Sequence, residues 1–195
     1  MKEVCVEKSD LGRRLVEYRL PRYDELSEFD IYMAQLTAIL DKHLAEFLIP
    51  GEEKTLTASM INNYVQKGVI KPPVNKKYSR IHIIHLLIIG ILKQVLSINE
   101  IAQLIKLQIR RYPIRLAYNF FCDELENALN VTFATRSFSD IKKREPTATL
   151  LSENARSAVV AFANRIYVKK SLYLAELERE KAQSEREKRM AKAKV

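Results

Sequence analysis

The sequence predicts an all-α protein, and three observations carry that reading. Only four glycines and six prolines occur in 195 residues, too few for the hairpins and phosphate-cradling loops of a strand-rich fold. Apolar residues recur at three- and four-residue spacing through most of the chain, the period of a helix face. Hydrophobic residues make up 47% of the chain, enough to bury a core in one compact domain with appendages or in two small ones.

The elements follow in order. Residues 1–21 are mixed and uncapped and read as a loosely attached N-terminal arm. Ser27 and Asp30 are candidate N-caps for a helix to about Ile49, on which Tyr32, Leu36, Ile39, Leu40, Leu44, Phe47 and Leu48 recur at three- and four-residue spacing. Pro50 and Gly51 end it. Thr57 caps a short helix running to Lys67; Leu56 staples onto Ile61, and Gly68 takes the left-handed position after the last turn. Ile61, Tyr64 and Val65 face inward on it, which leaves Ser59, Asn62, Asn63 and Gln66 outward. Pro72 and Pro73 force an extended exit, Val74 to Tyr78 form a brief turn or strand, and Ser79 caps a largely buried helix from Arg80 to about Leu96. Ser97 to Glu100 (SINE) is a capping box opening a further helix, with Ile101, Leu104 and Ile105 inward. Residues 22–110 thus form one helical unit.

A middle segment, 111–145, begins with Pro113 opening a helix whose Ile114, Ala117, Phe121, Leu125 and Leu129 share one face. Asp123, Glu124 and Glu126 crowd its other side and read as an exposed acidic face. After a polar loop containing Pro146, the stretch 146–195 holds a long helix starting near Thr147 or Ser152, with a stripe through Ala155, Val159, Phe162, Ile166, Tyr173 and Leu177. Beyond Glu176 the chain is almost wholly charged and reads as a single exposed or frayed helix, its basic end at Lys188 to Lys194 solvated. The aromatics from Tyr112 to Phe138, including Tyr118, Phe121 and Phe133, are candidates for an apolar pocket, though at helical spacing they read first as core; any effector is unknown.

Charge narrows the function. The formal net charge is +9, and the span from Lys54 to Asn99 holds Lys54, Lys67, Lys71, Lys76, Lys77, Arg80 and Lys93 without one acid. Cations so concentrated make a local field that attracts polyanions. The outward side chains of the Thr57 helix are small or amide, suited to close approach to base edges and phosphates. If five of the seven cations reach phosphates, binding weakens with salt at a log–log slope of about −4 to −5 per subunit.

Other classes are excluded or expected absent. His82 and His85 have a spacing that zinc sites use, but no nearby cysteine or acid completes a tetrahedron, and helix capping and packing explain them better. Neither Cys5 nor Cys122 has a sequence-adjacent base, so no catalytic residue, metal or cofactor is expected. The most apolar run, Ile81 to Leu92, is well short of the roughly 20 residues that span a bilayer. With two cysteines and no secretory-type leader, a reduced cytoplasmic setting is expected, without membrane association.

Two stretches carry a resemblance. TASMINNYVQKGVIKPP followed by KKYSRIHIIHLLIIGILKQVLSINEIAQLI resembles the MerR-type winged helix-turn-helix over Thr55 to Ile105: a short recognition helix ending in glycine, a proline exit, a basic wing, an aromatic and a capped helix. LPRYDELSEFDIYM, SMINNYVQKGVIKPP and LKQVLSINEI resemble a bacterial family catalogued as domain of unknown function 1836, over roughly Leu20 to Ile109. The resemblance implies a cytoplasmic transcription regulator with the Thr57 to Lys67 helix in the DNA major groove. Ser59, Asn62, Asn63 and Tyr64 then fall at DNA-facing positions, Lys67 and Lys71 beside them, and Lys76, Lys77, Tyr78 and Arg80 in or next to the wing. It also implies a homodimer through the C-terminal helix, with Val159 to Leu177 as the candidate seam and two half-sites about one helical turn apart. Two departures reduce affinity: only Val74 to Lys77 separate Pro73 from Tyr78, so the wing is stunted, and Asn62 stands where an arginine is common. The alternative is a non-enzymatic protein-interaction adaptor on the same fold.

Overall fold

Local punctuation decides where most helices begin. In the computed structural model, which describes residues 6–135 and 149–192, seven α-helices and one two-stranded sheet are present. They are α1 (Asp10–Val16), β1 (Ile31–Tyr32), α2 (Met33–Leu44), α3 (Ala58–Gln66), β2 (Lys77–Tyr78), α4 (Arg80–Leu92), α5 (Ile98–Arg111), α6 (Ile114–Asn130) and α7 (Leu150–Lys192). The fold is mostly helical, as expected. Cys5, Phe138, Pro146, Thr147 and Lys194 lie outside the described residues.

At α5 the Ser97 hydroxyl accepts from the Glu100 backbone N–H at 3.3 Å, while the Glu100 carboxylate accepts from the Ser97 N–H at 2.7 Å. The capping box of the sequence is therefore formed in both directions. At α7 the corresponding pair is Thr149 and Ser152, whose backbone N–H groups donate to each other's hydroxyls at 3.0 and 3.2 Å.

One hydrophobic core runs through the molecule, joining Leu36, Leu40 and Phe47 to Ile83 and Leu87 of α4, then to Leu125 of α6 and Phe162 of α7. Nine residues of α4 are buried, so it is the central helix of the fold.

Several expectations are corrected. The N-terminal arm is docked: Val6, Leu15 and Leu20 are each 1% exposed, and α6 holds the chain from Leu20 to Tyr23. The Ser27 and Asp30 caps are not used, because Ile31–Tyr32 pairs antiparallel with Lys77–Tyr78 and delays the helix start to Met33. That helix ends at Leu44 and tightens into a 3-10 turn over Ala45–Phe47, and α4 ends at Leu92, short of Leu96. The acidic face expected on α6 is largely internal: Glu124 and Glu126 are buried because arginines from distant segments meet them. Only Asp123 of the three stays exposed. Finally, Val159, Phe162 and Ile166 of the expected dimer seam are fully buried in the protein's own core.

Candidate nucleic-acid interface

The short helix α3 begins where Thr57 Oγ1 accepts from the Met60 N–H at 3.3 Å. It stops where Gly68 turns left-handed (φ +67°), with the Val69 N–H donating back to the Tyr64 carbonyl at 2.9 Å. Ile61 is its one buried residue; Leu56 and Ile70, just outside its ends, anchor it at 1% and 2% exposure. Tyr64 and Val65 are half-buried against the core. Ser59, Asn62, Asn63, Gln66 and Lys67 are exposed, so the polar face of the helix is uncovered.

Contacts before and after α3 tie its segment to the two ends of α4. Lys93, just past the end of α4, donates to the Thr55 carbonyl at 2.7 Å and lies 3.6 Å from the Met60 sulfur. Burial lowers the affinity of this ammonium for its proton, which fits a structural pin rather than a solvated cation. At the other end, His82 on the first turn of α4 accepts at Nδ1 from the Ser79 N–H (3.0 Å) and contacts the Lys71 carbonyl at Nε2 (3.1 Å). With Nδ1 accepting, the proton sits on Nε2 and that nitrogen donates to Lys71. One histidine thus caps α4 and ties down the chain leaving α3.

Between them lies a two-residue hairpin. The Val74 N–H donates to the Lys77 carbonyl at 3.1 Å and the Lys77 N–H to the Val74 carbonyl at 2.9 Å. Asn75 and Lys76 at its tip have φ of +49° and +61°. Both signs match the turn whose twist suits tight hairpins, usually filled by Asn-Gly. A lysine held left-handed costs on the order of 1 kcal/mol relative to glycine.

The acid-free span divides once its side chains are placed. Lys54 pairs with Asp41, and Lys93 is the pin described above. Arg80 donates to the Ser27 carbonyl at 3.2 Å, lies 3.6 Å from Glu28 and stacks 4.8 Å over the Tyr23 ring. Tyr78 is buried, its ring edge-on to His82 with centroids 5.4 Å apart. These two therefore brace the hairpin from inside. Lys67, Lys71 and Lys76 are exposed, and Lys77 lies half-exposed over the Tyr32 ring at 5.3 Å; none of the four is in an ion pair among the described residues. All four belong to the stretch between the end of α3 and the start of α4.

Tyr32, placed by its spacing on the apolar face of the helix to Ile49, stands instead in β1 and is 55% exposed. Register places it opposite Lys77, on the sheet face away from buried Ile31 and Tyr78. A two-residue strand is too short for its alternation to be read beforehand. Beside it, the Glu28–Asp30 loop exposes Phe29 (82%) among acids.

The profile of the family described as Domain of unknown function (DUF1836) matches residues 21–121, just over half of the chain. The chain belongs to that family. The DUF1836 match takes in β1, α2, α3, the hairpin, α4 and α5, and so contains the whole exposed amide and lysine surface. No curated protein and no solved structure matches the chain.

Among the described residues no group of three His, Cys, Asp or Glu is placed to hold a metal ion, and no helix is long and apolar enough to cross a membrane. Cys122 is buried, and desolvation pushes its thiol up to about 12, which keeps it protonated and unreactive.

Proposed function

We propose that this protein is a DNA-binding transcription regulator of MerR-like type, with α3 entering the major groove and the Val74–Lys77 hairpin serving as a short wing on the adjacent backbone. The observation that carries the reading is the uncovered face of α3, where Ser59, Asn62 and Asn63 have no protein cover, next to Lys67, Lys71, Lys76 and Lys77, which have no acidic partner among the described residues. Amides and hydroxyls hydrogen-bond base edges and phosphates, and lysines act as point charges on the backbone. Tyr32 joins this surface through Lys77.

Labelled random duplex DNA titrated at several salt concentrations tests the reading. Four phosphate contacts give a log–log slope of about −3 to −4 per subunit, below the sequence-based figure because Lys54, Arg80 and Lys93 are engaged internally. No binding at low salt would favour the adaptor instead. One feature supports that second reading: Phe29, Tyr32 and Val74 are exposed large apolar side chains beside both acids and lysines, a surface suited to a protein partner.

A homodimer belongs to the same proposal. Since Val159, Phe162 and Ile166 serve the protein's own core, its seam on α7 falls to Val168 and Leu172, which are 56% and 67% exposed. A dimer whose two α3 helices stand about 34 Å apart or a multiple of it would read a palindromic site.

A further inference from the structure

The outward stripe of α3 has a chemistry of its own. Ser59, Asn62, Asn63, Gln66 and Lys67 follow one another at helical spacing, so they lie on one side of the helix, and all five are exposed. No side-chain hydrogen bond or ion pair engages any of them among the described residues. Each of the three amides therefore keeps a donor and an acceptor unused. Ala58–Gln66 contains no charged side chain, and Lys67 follows its last turn. In the major groove each base is told apart by what its edge offers. Guanine presents two acceptors, N7 and O6, which suit the donors of arginine or lysine; cytosine presents one donor, and thymine one acceptor beside a methyl group. Adenine alone presents an acceptor, N7, next to a donor, the N6 amino group. A primary amide carries the reverse pair: its NH2 donates to N7 while its carbonyl accepts from N6.

We propose that α3 reads adenine, with Asn62 and Gln66 each making a two-bond pair to the major-groove edge of one adenine. The two stand one turn apart, about 6 Å along the helix axis, which is on the order of two base steps. Asn63 and Lys67 form the neighbouring row of the stripe, and an ammonium there suits a phosphate, so this row takes the side toward the backbone. With no arginine on the helix, no side chain of Ala58–Gln66 offers guanine the paired donors it favours. Adenine readout rests on the DNA binding proposed above and adds the base that the same helix meets.

Duplexes enriched from a random pool by the full chain at low salt supply the probes. Each adenine of the enriched site is then replaced by 7-deazaadenine, which keeps Watson–Crick pairing but has carbon in place of N7. At two of these adenines the replacement is expected to weaken wild-type binding about tenfold, the worth of one good amide pair. Asn62→Ala is expected to bind the unmodified site about tenfold less tightly and to show no further loss at one of the two, because that bond is already gone; Gln66→Ala does the same at the other. Both side chains are exposed, and thermal melts confirm that the variants fold. The wild-type penalty reads the N7 contact without any variant. Sensitive positions that are guanines, adenines indifferent to the loss of N7, a penalty that persists in both variants, or binding with no enriched sequence would overturn adenine readout and leave DNA binding standing. Absence of binding at low salt would overturn both.

Discussion

Charge is used in opposite ways by two parts of this molecule. Where the N-terminal segment crosses α6, the Arg22 guanidinium grips the Glu126 carboxylate with two parallel bonds at 2.6 and 2.9 Å, and Arg19 and the Leu20 N–H add two more. A few residues along, Arg156 makes the same kind of grip on Glu124 at 2.8 and 3.1 Å. Beyond the end of α3, Lys67, Lys71, Lys76 and Lys77 meet no acid among the described residues. The contrast teaches that this sequence pairs its charges thoroughly when they serve the fold. The proposed function rests on the four lysines that this pairing leaves aside next to α3.

The largest effect expected from breaking the contrast is at Glu126. Glu126→Gln takes from Arg22 its buried counter-charge and leaves it only the exposed Asp123, and is expected to lower unfolding stability by about 3 kcal/mol in denaturant melts. The same carboxylate gives the acid response its sign. Burial alone would raise its pKa, but the Arg22 fork, the Leu20 N–H and Arg19 outweigh burial and depress it. Its contribution is present above the usual carboxylate range, near pH 4.3, and fades as pH falls through the depressed value. Melts in acid are thus expected to show a steeper loss for wild type than for Glu126→Gln.

Next in size are the readers of α3. Asn62→Ala or Ser59→Ala is expected to cost about 1–3 kcal/mol on a selected DNA site and far less on random duplex, with the melting temperature unmoved, since both side chains are exposed. Lys76→Gly sharpens the contrast further. Relieving the left-handed lysine is expected to stabilise the fold by about 0.5–1 kcal/mol while DNA affinity drops, so stability and binding move in opposite directions at one residue. Smallest is Asp123→Asn. Its exposed carboxylate meets Arg22 at 2.8 Å, but that guanidinium is already held by Glu126, and the expected loss is under about 1 kcal/mol.

How legible all this was in the sequence depends on the range of each interaction. Thr57, Gly68 and the Ser97–Glu100 box act over three or four residues, and the helices they bound stand where the letters put them. Ser27 and Asp30 have equally good capping chemistry, yet they lost to a pairing with Tyr78 some fifty residues away. The docked N-terminal segment was illegible for the same reason, because what makes Leu20 to Tyr23 stay is Glu126 and Asn119, about a hundred residues on. Within the candidate site the sequence separated the inward from the outward face of α3 by period alone. It did not separate the cations: Lys54, Arg80 and Lys93 read like Lys76 until their partners Asp41, Tyr23 and the Thr55 carbonyl were in place.

Whether the unpaired lysines and the bare face of α3 form one DNA-facing surface is tested most directly by a salt titration of duplex DNA binding by wild type and by Lys76→Glu/Lys77→Glu, with the melting temperature of each recorded. The reversal is expected to leave melting nearly unchanged, to abolish most binding at low salt and to lower the slope by about 2 per subunit. A reversal variant that melts like wild type and binds DNA with the same affinity and slope would contradict it.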